Sequence, residues 1–237
     1  MNAKSLYGRV EEENLCEAAK MNKYSDAKPK VLFVLKEPST RSDNQNYNFK
    51  ESLEDKGWHP NKMWRLLACC SEGFCSIGQN KNENQVYKWK DFNKCRELLE
   101  YSSYMNLKRF GAGTSSDMSL VGLHAGLFWP LMMDEIKELK PDIIVFCGTF
   151  TIFKELIECL NKLPEYTQKL GYKSFGKIEM RDTDKEIGIW HCENILNKPI
   201  DIIEMPHPAR KNHESYFDKL MECGEKILSD DRKSISK

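Results

Sequence analysis

Three side chains suited to acid–base and hydrogen-bonding chemistry, Glu37, Asn106 and His207, each close an apolar, strand-like run. The runs are Lys30-Val-Leu-Phe-Val-Leu-Lys-Glu37-Pro38, Ser103-Tyr-Met-Asn106-Leu-Lys-Arg109 and Ile200-Asp-Ile-Ile-Glu-Met-Pro-His207-Pro208. In an open parallel α/β sheet, ligands sit at the carboxyl ends of the strands. A carboxylate, an amide and an imidazole delivered there can converge on one small molecule. Proline beyond the first and third runs suits strand ends, because it supplies no N–H and cannot continue the ladder. Each run alone reads equally well as an ordinary strand exit; the coincidence of three points to a shared site.

The elements that must position them follow from the pattern. Val31 to Leu35 is a continuous apolar run, as expected of a strand buried on both faces. A second strand is predicted over about 103–107, a third over Asp142 to Cys147 and a fourth over 200–205. Helices are predicted over Asn61 to Ala68, Asp91 to Tyr101, Phe128 to Leu139 (closed by Lys140-Pro141), Phe150 to Leu160 and Ser215 to Leu228. The order strand–glycine–helix at Cys147-Gly148-Thr149 is one half of a βαβ unit. The expected fold is a three-layer α/β/α sandwich with a four-stranded, mainly parallel central sheet. Its domain spans 30–229, after an N-terminal helical segment (Arg9 to Met21) and linker over 1–29 and before a polar tail over 230–237. Residues 161–198, with a β-like piece near Ile187 to Trp190, read as an insertion or an edge hairpin.

Composition sets outer bounds. The chain has 237 residues, 40% hydrophobic and 30% charged, which is globular rather than disordered. No run approaches the roughly 18 apolar residues of a membrane helix, and the polar, acidic N-terminus is unlike a signal peptide. A cytoplasmic monomer is expected. Nine cysteines are an odd number for a disulfide framework. Cys147 and Cys159 are expected to be reduced core thiols. Cys69-Cys70 with Cys75 lacks the paired spacing of a zinc ribbon, so no metal and no cofactor are expected. A formal net charge of zero argues against a non-specific nucleic-acid coat protein, though not against a local basic face. Lys108-Arg109 and Arg210-Lys211 would supply one if their strand ends are neighbours.

The motifs in this order resemble the uracil-DNA glycosylase superfamily. Its first strand ends in a motif such as G-Q-D-P-Y, G-M-N-P-G or G-E-A-P-G, its second in a base-reading asparagine and its last in H-P-S. The counterparts are Leu35-Lys36-Glu37-Pro38-Ser39, Met105-Asn106-Leu107-Lys108 and His207-Pro208-Ala209. The resemblance covers roughly residues 30–225 in order, through short motifs. It implies a DNA glycosylase that flips out a uracil, damaged or modified base and hydrolyses its N-glycosidic bond, or a catalytically weak relative that binds modified DNA or a nucleotide as a sensor. A flavodoxin-like or nucleotide-binding α/β protein is the third reading.

The chemistry fits these residue types. Cleaving an N-glycosidic bond creates oxocarbenium character on the sugar and negative charge on the base. Glu37 is expected to stabilise the cation and orient a water. Asn106 is expected to read the Watson–Crick edge of a flipped base, a contact worth roughly 1–3 kcal/mol of discrimination. His207 is expected to donate a hydrogen bond to the base carbonyl that gathers charge. The resembling enzymes place a stacking aromatic a dozen or so positions beyond the acid, where Tyr47 and Phe49 fall, with Phe49 preferred. Lys108, Arg109, Ser115 (in Gly111-Ala-Gly-Thr-Ser-Ser), Arg210 and Lys211 are expected to hold DNA phosphates. Lys36 and Ser39 depart from the family pattern, as do Ala209-Arg210-Lys211 after His207-Pro208. Those departures set uracil, a damaged base and a modified base side by side as substrates the resemblance implies.

Overall fold

The computed structural model describes residues 18–36, 50–51, 55, 60–78, 91–109, 117–165, 178–184, 187–195, 199–208 and 212–235. In chain order the strands are β1 (Ala19–Lys20), β2 (Val31–Leu35), β3 (Ser103–Asn106), β4 (Ile143–Cys147), β5 (Ile178–Asp184), β6 (Ile187–Cys192) and β7 (Ile200–Met205). The helices are α1 (Lys62–Gly78), α2 (Phe92–Leu99), α3 (Met118–Leu127), α4 (Trp129–Leu139), α5 (Phe150–Asn161) and α6 (His213–Ile235).

All seven strands form one mixed sheet in the order β1-β3-β2-β4-β7-β6-β5. The four expected strands are its middle, pairing in parallel as β3–β2, β2–β4 and β4–β7. Among the described residues, the expectation of four strands is therefore corrected to seven. The extra three are antiparallel: β1 on β3 at one edge, and the β5–β6 hairpin on β7 at the other. Within 161–198, residues 178–184 and 187–192 form an edge hairpin.

Every residue of β2 and β4 is buried, as unbroken apolar runs in a parallel sheet require. Alternate side chains feed two cores. Val31, Phe33 and Leu35 pack with α1, α2 and α6, while Leu32 and Val34 pack with α3, α4 and α5. One helical layer thus covers each face.

Several boundaries move. Residues 19–20 are β1, not the end of a helix, and Met21, Tyr24 and Ala27 are buried, so 18–29 belongs to the domain rather than to a detached linker. The remainder of the expected N-terminal helix lies outside the described residues. α1 runs ten residues past Ala68, to Gly78. α6 continues to Ile235, so most of the expected tail is helical. α3 was absent from the sequence expectation. Cys147 is fully buried, but Cys159 lies on an exposed face of α5 and is not a core thiol. Among the described residues, no helix is long and apolar enough to cross a membrane.

Candidate active site

Among the parallel strands the order is β3-β2-β4-β7, so the chain leaves β2 for one neighbour, β3, and then crosses back to the other, β4. The strand order reverses between β2 and β4. In doubly wound sheets the ligand crevice opens at that reversal, outside the carboxyl ends. The residues leaving these ends are Lys36 from β2 and Gly148 from β4. Asn106 of β3 flanks them on one side and His207, beyond β7, on the other.

The strand ends are tied by main-chain hydrogen bonds that extend past the sheet. Leu107 N–H donates to Leu35 O at 3.0 Å and Lys108 N–H to Lys36 O at 2.9 Å. Gly148 N–H donates to Met205 O at 2.7 Å. The buried Thr149 hydroxyl reaches across to Val34 O at 3.0 Å, pinning the β4 exit to β2. Asn106 is the register partner of Leu35, one residue before Lys36.

Two side chains here carry chemistry. Asn106 is half-buried, and its Oδ1 is shielded from solvent with no hydrogen-bond partner among the described residues. An unsatisfied buried acceptor costs about 1–3 kcal/mol, a cost that a donor on a ligand would relieve. His207 is half-buried, and desolvation with the nearby Lys36 ammonium pushes its imidazole down to about 4. At neutral pH it is therefore an uncharged ring offering one N–H donor and one acceptor nitrogen. A neutral ring can donate a hydrogen bond but is not a proton-loaded acid at that pH.

Lys108 is half-exposed beside this end. Arg109 is not on the rim. It is fully buried, donates from Nη1 to Glu135 Oε1 at 3.1 Å and pairs through Nη2 with Glu135 Oε2. Its guanidinium is consumed inside the protein, which removes it from the phosphate-binding set. Glu37, Tyr47, Phe49, Ser115, Arg210 and Lys211 lie outside the described residues. Gly148 and Thr149 carry no site role in the sequence pattern, and Lys36 only a remote one as a Schiff-base nucleophile. The signal for the first two was the Cys147-Gly148-Thr149 strand exit; for Lys36 it was adjacency to Glu37.

Among the described residues, no group of three or more His, Cys, Asp or Glu side chains could hold a metal ion. A cleft of about 190 Å³ lies on the α6 side of the same sheet end, lined by Met205, Pro206, Asn212, Ser215, Tyr216 and Lys219. Fold and strand ends together define an α/β protein with helices on both faces of a mixed sheet, with Asn106 and His207 following strands on either side of its topological switch. No protein-family model matches the chain, and no curated protein matches its sequence.

Proposed function

We propose that the chain is a DNA glycosylase that takes a damaged or modified base, or uracil, out of the stack and hydrolyses its N-glycosidic bond. The observation that carries this reading is the placement of Asn106 and a neutral His207 on either side of the β2 exit, from which Glu37 follows directly. Asn106 supplies an unpaired buried acceptor for an N–H on the base edge. His207 donates to the carbonyl oxygen on which charge collects as the base leaves. Glu37 stabilises the sugar cation and orients the water that adds to C1′, so one water is consumed and the free base and an abasic sugar are released. Phe49, with Tyr47 as its neighbour, supplies the stacking surface, and Lys108, Ser115, Arg210 and Lys211 hold phosphates.

The test is mass spectrometry of bases released from DNAs carrying uracil, oxidised, alkylated and hypermodified bases. Release of one class of free base supports the reading. Binding of modified DNA without release from any substrate would overturn it in favour of a sensor.

His207→Ala should depress turnover by roughly 10²–10³-fold, as loss of one such donor does, with little change in affinity. An equal loss in both would indicate uniform binding instead. Because His207 is already neutral at pH 6.5, its titration should leave no inflection in the rate near that pH. Any inflection it causes should appear near pH 4, where the imidazole gains its proton.

With zero net charge overall, DNA affinity should rest on the local rim. Arg210→Ala with Lys211→Ala should weaken binding across sequences and lower the salt slope of log K by roughly 0.7–0.9 per lost contact, leaving base preference unchanged. A shifted preference at constant affinity would instead place these residues against the base.

A further inference from the structure

At the β4 exit, Gly148 has φ of 70°, a left-handed conformation that side chains with a Cβ rarely adopt. Its missing side chain faces His207. A Cβ at this position would stand 3.0 Å from the His207 backbone N, 3.1 Å from its Cβ and 3.4 Å from its Cα. The contact is made by main-chain and Cβ atoms, so no rotation of the imidazole relieves it. The same glycine is bound from the other direction, donating its N–H to Met205 O, two residues before His207. Its neighbour Thr149 is fastened to Val34 O of β2. The β4 turn is thus held on β2 and β7 at once, and the chain bearing His207 is laid directly against Gly148.

We propose that Gly148 is a positioning residue for His207: its absent side chain and left-handed backbone let the His207 main chain close over the β4 exit, and so set the depth of the imidazole beside Lys36. Any larger residue forces the 206–208 segment to give by a few tenths of an ångström and so shifts the imidazole relative to Lys36. The catalytic consequence rests on the glycosylase reading above; the displacement of His207 does not.

The experiment compares Gly148→Ala and Gly148→Asn with wild type in the full chain. Asparagine tolerates positive φ far better than alanine but still carries a Cβ. It therefore removes most of the backbone strain while keeping the collision. Ring titration of His207 is followed by NMR, with His207→Ala to assign the signal. Wild type should titrate near 4, and both variants should move up toward the ordinary histidine value near 6.5 as the ring regains water. With a base substrate identified, kcat should fall by roughly 10- to 100-fold in both, while KM changes by less than about threefold. A glycine that matters only to backbone stability would give a different pattern: a lower Tm, worse for alanine than for asparagine, with His207 titrating as in wild type. That pattern overturns the proposal. Altered titration with no base released from any DNA would leave the positioning role standing and overturn the glycosylase reading alone.

Discussion

Glu37→Gln is expected to lower base excision by roughly 10²–10⁴-fold, the range a positioned acid–base group contributes. Glutamine keeps the shape of the side chain and loses only its charge and basicity. Affinity for DNA should change by less than about threefold, since phosphate contacts and base stacking do not depend on this carboxylate. Single-turnover release of the free base, measured beside binding of the same duplex, separates the two. The position of Glu37 makes the prediction specific. It follows Lys36, whose backbone oxygen is held by Lys108 N–H and whose ammonium acts on His207. On the glycosylase reading, a carboxylate from the residue after Lys36 would supply the negative charge that an oxocarbenium ion requires. Excision near the wild-type rate in the glutamine variant would remove Glu37 from the mechanism.

The parts of the fold that sequence made legible are those in which local pattern and burial agree. Val31–Leu35 and Ile143–Cys147 are unbroken apolar runs because both faces are covered, and both strands form where that pattern puts them. The C-terminal halt of α4 was legible for the same kind of reason: Lys140, at φ 49°, takes the left-handed position and Pro141 cannot continue the helix. α3 was missed because it lacks the signal used to find helices. Met118–Leu127 is apolar on most of its circumference and contains two glycines, so no stripe marks a buried face. Its legible sign was the N-cap, where Asp117 accepts from Ser119 N–H at 2.9 Å. Short edge strands such as Ala19–Lys20 carry too few residues to show alternation, and their place is fixed by the neighbour β3. At the sheet's carboxyl end, the sequence made legible that Asn106 closes one strand and that His207 follows another. It could not supply Gly148 as the residue against His207, because that contact joins segments 59 positions apart whose proximity exists only once β4 and β7 pair.

Arg109 shows the opposite error, and its correction predicts the largest effect on stability. A basic pair after a strand reads as a phosphate clamp, yet the second member turns inward and is fully buried against Glu135 of α4. Glu135 Oε1 also accepts from Ala18 N–H at 3.1 Å, so one carboxylate joins the end of β3, helix α4 and the entry to β1. Glu135→Ala should therefore cost about 3–5 kcal/mol, because it strands a charge that cannot reach water. Urea denaturation should show this as a lower midpoint with an unchanged m value. Replacing both partners, Arg109→Met with Glu135→Leu, should recover most of that loss, since no charge is then left unpaired. The double variant also decides where Arg109 acts. An internal guanidinium contributes no phosphate contact, so the salt slope of DNA binding should match wild type, whereas a rim arginine would lower it by roughly 0.7–0.9. A destabilisation by Glu135→Ala of less than about 1 kcal/mol, or a reduced slope in the double variant, would return Arg109 to the surface.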